Sequence, residues 1–140
     1  MAEAGTKRGR KIERPLSPHL MIYTPHINMV MSILHRITGA ALYFGTLLLA
    51  WWLIAAATGP DYFAYVQGIF ATWPARIVLF GYTWALIHHM VGGIRHFIWD
   101  TGRGYDIKTI DLMSWGSIVL SALATVAVWA YVLLCSGAPA

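Results

Sequence analysis

Three stretches of the chain carry no formal charge, and short polar segments separate them. Between Arg36 and Asp61 lie 24 such residues, between Arg76 and Arg95 lie 18, and from Leu112 to the end lie 29. A helix of about 20 mostly apolar residues crosses a hydrocarbon core of roughly 30 Å. Each run is long enough once the residues at its ends snorkel toward water. The pattern predicts an all-α integral membrane protein with three transmembrane helices, up-down-up, near 32–58, 73–99 and 112–135. Residues 1–31 form an inner N-terminal segment, 59–72 an outer loop, 100–111 an inner loop and 136–140 an outer tail. Gly59-Pro60-Asp61 signals a turn in the outer loop, and Tyr62, Phe63 and Tyr65 after it suit a membrane interface. Three long runs cannot make a closed β-barrel.

Composition supports the membrane assignment. Hydrophobic residues make up 58% of the chain and charged residues 11%, against roughly 45–50% and about 25% in soluble domains. Disorder is excluded for most of the length, because it needs low hydrophobicity. The single cysteine excludes an internal disulfide framework or a cysteine-built metal centre.

The formal net charge is +4, and its placement matters more than its size. Lys7, Arg8, Arg10, Lys11 and Arg14 precede the first span, Arg103 and Lys108 lie in the second loop, and the first loop and C-terminal tail have neither Lys nor Arg. Lys and Arg mark cytoplasmic segments. The N-terminus and second loop are therefore expected on the cytoplasmic side and the C-terminus on the periplasmic side. The first apolar run starts too far along the chain, and is too long, for a cleaved secretory signal. The expected location is a bacterial inner membrane rather than a mitochondrial one. The basic N-terminal cluster is expected to set topology and meet phospholipid or a partner, with no nucleic acid.

Ionisable groups inside a span cost roughly 2.5–3.5 kcal/mol each on insertion scales, so they mark function. Ser32, His35 and Arg36 stand three and four residues apart at the inner end of the first span, so they share one helix face. A hydroxyl, an imidazole and a guanidinium together suit a carboxylate, a haem propionate or a quinone oxygen. Each is also an ordinary interfacial residue. The second cluster is His88-His89-Met90-Val91-Gly92-Gly93-Ile94-Arg95-His96. His89 and His96 lie two turns apart with Gly92 and Gly93 between them. This leaves a slot where a flat macrocycle can lie with its iron on the imidazole. His89 is eleven residues from Asp100, roughly 16 Å from the inner end and near mid-membrane. Arg95 and His96 are at the depth of His35 and Arg36, where a haem's propionates would point. His88 is the alternative ligand, in a lane obstructed by Val91 and Arg95. Both histidines and the glycines also have a packing explanation. If haem is present its second axial histidine must come from another chain, since His35 is too shallow and the third span has none. Ser114, Ser117, Ser121 and Ala124 form a small-residue lane for helix packing.

Arg14-Pro15-Leu16-Ser17-Pro18-His19-Leu20-Met21-Ile22-Tyr23, Ser32-Ile33-Leu34-His35-Arg36 and His89-x3-Gly93-x-Arg95-His96-x3-Asp100 together resemble the cytochrome b membrane anchors of succinate dehydrogenase, respiratory complex II. The resemblance covers about residues 14–100 in order. It implies a subunit that anchors a flavoprotein and an iron–sulfur subunit, with FAD and the iron–sulfur clusters confined to those partners. It implies one haem b shared with a second small anchor, with His89 as axial ligand of the haem iron. It places His35 and Arg36 by the propionates, with Arg95 and His96 supporting that end. Ser32 and Arg36 would line the ubiquinone site. Succinate oxidation itself would occur outside this chain. Two other readings use the same residues: a self-contained or homodimeric b-type cytochrome, and a haem-free scaffold with packing histidines.

Overall fold

The computed structural model describes residues 15–135. Arg14 and the basic cluster before it, and the tail at 136–140, lie outside the described residues. Among those described there are four helices and no strand: α1 (Ile27–Thr58), α2 (Pro60–Phe70), α3 (Trp73–Asp100) and α4 (Ile107–Cys135). The protein is all-α, and α1, α3 and α4 are long and apolar enough to cross a membrane. At 1.5 Å per residue even the shortest, the 28-residue α3, is about 42 Å long, so it reaches beyond the hydrocarbon core.

The expected spans sit inside longer helices. α1 begins five residues before position 32, and α4 begins five residues before position 112. The outer loop is largely the eleven-residue α2. Gly59 joins α1 to α2 at φ 147, a backbone region open to glycine. Pro60 at the start of α2 supplies a φ ready for helix and no wasted amide. α2 is fastened to α1 by the indoles of Trp51, donating to Tyr62 Oη at 3.0 Å, and Trp52, donating to Gln67 Oε1 at 2.8 Å. Gly102 and Gly104 take positive φ to turn the chain after α3. Asp106 then caps α4, its carboxylate accepting from the Thr109 amide at 2.9 Å. The Thr109 side-chain and backbone hydrogen bonds hold the Asp106 carboxyl below its ordinary range.

α3 makes the most extensive contacts, with α4 and with α1, and α1 and α4 also touch each other. The core is small and polar, while large apolar side chains such as Phe44, Leu47, Ile77, Phe97 and Leu123 face outward. In α1, Met31, Thr38 and Gly45 are buried at seven-residue intervals, the repeat that keeps one seam against a neighbour. α4 buries Ser114, Ser117, Ser121 and Thr125, so Thr125 rather than Ala124 completes its lane. Each of these hydroxyls donates to a carbonyl one turn back in its own helix, at 2.6–3.0 Å. The lane is therefore both small and internally satisfied, which lets helices approach without exposing unpaired donors to lipid. Farther along α1, Gly45 makes room for the Tyr82 ring, which a Cβ there would overlap.

Candidate functional site

The first half of α1 and the second half of α3 bring their histidines together. The His35 and His89 rings stack with centroids 3.9 Å apart and planes within 7°. A glycine on each helix admits the imidazole of the other. A Cβ at Gly39 would fall 2.9 Å from His89 Cε1, and a Cβ at Gly92 would overlap His35 Nδ1. Gly92 is thus filled by α1, and Gly93 is the glycine of the pair with open space where its side chain would be.

The orientation of His89 is fixed by backbone. Its Nδ1 lies 3.1 Å from the His35 carbonyl oxygen and 3.4 Å from Thr38 Oγ1. The Thr38 hydroxyl donates to the carbonyls of Leu34 and His35, both at 3.0 Å. Both neighbours of Nδ1 are therefore acceptors, so this nitrogen carries the proton and Nε2 keeps its lone pair. That is the second-shell arrangement typical of a histidine that ligates a metal. Among the described residues no group of three His, Cys, Asp or Glu side chains converges as a metal-ion site. What His89 offers is one imidazole nitrogen, which is what one axial position of a haem iron takes.

His88 turns the opposite way. It is 1% exposed, donates from Nδ1 to Ser121 Oγ at 3.1 Å and stacks on Trp84 at 5.1 Å. Ser121 in turn donates to the Ile118 carbonyl. This histidine ties α3 to α4.

Beside these rings a cavity of about 120 Å³ opens between α1 and α3, lined by Ser32, His35, His88, Arg95 and His96 among others. The ring of His96 tilts over His35 at 5.4 Å. Arg95 is 7% exposed. One of its terminal nitrogens donates to Asn28 Oδ1 at 3.3 Å, and its guanidinium lies 4.8 Å above the Trp99 ring. Two buried nitrogens have no hydrogen-bond partner, His35 Nδ1 and Arg95 Nε. Arg36 is exposed and stands outside this cavity, whereas Ser32 both lines it and faces outward. Of the residues singled out by sequence, the structure therefore gathers His35, His89, Gly92, Arg95, His96 and Ser32 into one α1–α3 seam. Gly93 and Arg36 lie on open faces beside it.

Thr38, Gly39, Asn28 and Trp99 complete the seam; Thr38 and Gly39 were expected beside the Ser32, His35 and Arg36 cluster, within a turn of it, whereas Asn28 and Trp99 were not singled out. The available signal for Thr38 and Gly39 was their position three and four residues after His35, on its own face. Nothing local distinguished Asn28 or Trp99.

A family model for the succinate dehydrogenase/fumarate reductase transmembrane subunit matches residues 10–128. The succinate dehydrogenase cytochrome b556 subunit of Rickettsia bellii is 39% identical over 124 residues, covering 89% of this chain and 97% of that protein. The corresponding subunit of Paracoccus denitrificans is 41% identical over 117 residues, covering 81% and 90%. The mitochondrial succinate dehydrogenase cytochrome b560 subunit of Bos taurus is 35% identical over 118 residues, covering 82% and 69%.

Proposed function

Because the chain belongs to the succinate dehydrogenase/fumarate reductase transmembrane-subunit family, we propose that it anchors a succinate:ubiquinone oxidoreductase in a bacterial inner membrane. In this reading it shares one haem b with a second small anchor and forms part of the ubiquinone-reduction site. The observation that carries the reading is the His89 ring, with Nδ1 committed to the His35 carbonyl and Nε2 left to ligate. Gly93, open on its own chain, borders the space for the macrocycle. His35, Arg36, Arg95 and His96 supply the cationic or hydrogen-bonding end for its propionates. The orphaned His35 Nδ1 and Arg95 Nε fit a group with acceptor oxygens on that side. Bound there, the haem supplies a one-electron redox centre near mid-membrane.

This chain's share of quinone reduction is binding and charge stabilisation. Ser32 and Arg36 are exposed on the inner part of α1, where a quinone between this helix and a partner subunit is reached. Their hydroxyl and guanidinium donate to a quinone oxygen and stabilise the negative charge that builds there as electrons arrive. The site's depth near the inner surface gives access to the two protons that two-electron reduction requires. The segment before α1 presents Leu16, Leu20, Met21, Ile22 and Tyr23 uncovered, an apolar strip for the iron–sulfur and flavoprotein subunits. Succinate is oxidised in the flavoprotein, so the anchor alone has no succinate activity. In this reading the N-terminus faces the cytoplasm and the C-terminus the periplasm, an orientation that the Lys/Arg distribution supports.

The reading is tested by purifying the tagged chain from its native membrane. A haem b reduced-minus-oxidised spectrum, together with co-purifying flavoprotein, iron–sulfur and second anchor subunits, is the expected result. A preparation with neither haem nor a flavoprotein overturns it.

A further inference from the structure

Arg95 is the one Lys, Arg, Asp or Glu among the described residues whose side chain is buried. A buried cation in a membrane helix ordinarily meets a counter-charge. Here its contacts are all neutral: the Asn28 amide oxygen at 3.3 Å and the Trp99 ring face at 4.8 Å. The Asp111 carboxylate stands 3.6 Å from the His26 imidazole, and neither is a partner of Arg95. The Nε has no partner, and the guanidinium borders the 120 Å³ cavity. That volume accommodates several waters, which would hydrate the charge without neutralising it. Arginine does not give up its proton in proteins. The helix thus carries a permanent positive charge that no acidic side chain among the described residues compensates, six residues after His89 and about 9 Å along the axis. A haem propionate beside it would belong to the haem itself, so the guanidinium would offset that carboxylate's field at the iron.

We infer that Arg95 is an electrostatic tuning residue, a fixed positive charge that raises the reduction potential of the haem held by His89. The inference rests on the ligand role proposed for His89. Reduction adds one electron to the centre, and a nearby fixed cation favours the reduced form. In a medium of effective dielectric about 20, a unit charge at a separation of order 10 Å shifts such an equilibrium by roughly tenfold. The geometry also explains why the charge is held by an amide and an aromatic face. A carboxylate at Asn28 would hold the guanidinium as well and cancel its field.

The test is a redox titration of the haem absorbance in the purified native complex, comparing wild type with Arg95→Met, Arg95→Lys and Asn28→Asp. Arg95→Met removes the charge, and Asn28→Asp neutralises it while keeping the guanidinium. Each is expected to shift the equilibrium about tenfold toward oxidised haem, which is ~59 mV for one electron. Arg95→Lys, which keeps the charge, is expected to stay within about threefold of wild type. If Arg95→Met fails to assemble with haem, Asn28→Asp decides the matter. A wild-type midpoint in the charge-neutralised variants that retain haem overturns the inference and leaves His89 as the ligand. A wild-type complex without haem overturns the underlying reading instead.

Discussion

The exchange of imidazoles between α1 and α3 depends on two missing side chains. His35 occupies the space over Gly92, and His89 occupies the space over Gly39. Neither ring has slack, because each is stacked on the other at 3.9 Å. Gly92→Ala is therefore expected to push the helices apart and destabilise the protein by about 1–3 kcal/mol, the usual range for overpacking. Thermal unfolding of the detergent-solubilised complex measures this. Gly93 meets nothing on its own chain, so Gly93→Ala is expected to leave the helix pair intact. If the macrocycle lies along that side, Gly93→Val reduces haem content without lowering the stability of the helix pair. Unchanged stability in Gly92→Ala would contradict the close approach. The histidines, glycines and Arg95 were legible from their spacing on one helix. Thr38 and Gly39 were legible as neighbours of that cluster but not as the seat of His89, and Asn28 and Trp99 were not legible at all, because these contacts depend on the register of α1 against α3, which no single-helix pattern encodes.

At the scale of elements, the charge-free runs located the membrane crossings but truncated the helices. Asn28 before the first run, and Lys108 and Asp111 before the third, look like loop residues when charge and polarity are the guide. In the structure Asn28 spends its amide on Arg95, and Asp106 caps α4 so that the helix starts five residues early. α2 was read as a turn followed by interfacial aromatics, because eleven residues with Gly68 in the interior show no strong period. Its helix is held from outside, by the indoles of Trp51 and Trp52. The Asp106 cap carries a pH signature. Its carboxyl is depressed in the folded state, so its contribution is fully present above the ordinary carboxylate range. It is lost as pH falls through the lowered value. Asp106→Ala is expected to fray the start of α4 at neutral pH, seen as faster amide exchange over Thr109–Asp111, while Asp106→Asn retains the cap. An acid-insensitive exchange rate at these amides in the wild type would argue against the cap.

For the whole molecule, the arrangement is a polar, tightly packed seam inside an apolar exterior, with cations concentrated toward one side. Orientation can be read from the single cysteine, since Cys135 is exposed at the end of α4 opposite the Asp106 cap. A membrane-impermeant maleimide is expected to label Cys135 in spheroplasts and to leave it unlabelled in sealed inside-out vesicles until detergent is added. Labelling from the inner side alone would invert the proposed topology. Sequence reading reached the family and the three-helix plan because three separated motifs and the charge asymmetry agreed. Spacing alone favoured His89 over His88 and the family resemblance assigned His89, but adjacent residues on a helix differ by about 100° and only the neighbouring helices decide which way each points. The structure places His88 against Ser121 of α4 and His89 against α1 with Nε2 available. The most direct test is the haem content and reduced-minus-oxidised spectrum of the native complex carrying His89→Ala or His88→Ala. The account predicts that His89→Ala abolishes or alters the bis-imidazole haem b spectrum while His88→Ala retains it. A wild-type haem spectrum in His89→Ala, or its loss only in His88→Ala, would contradict the account.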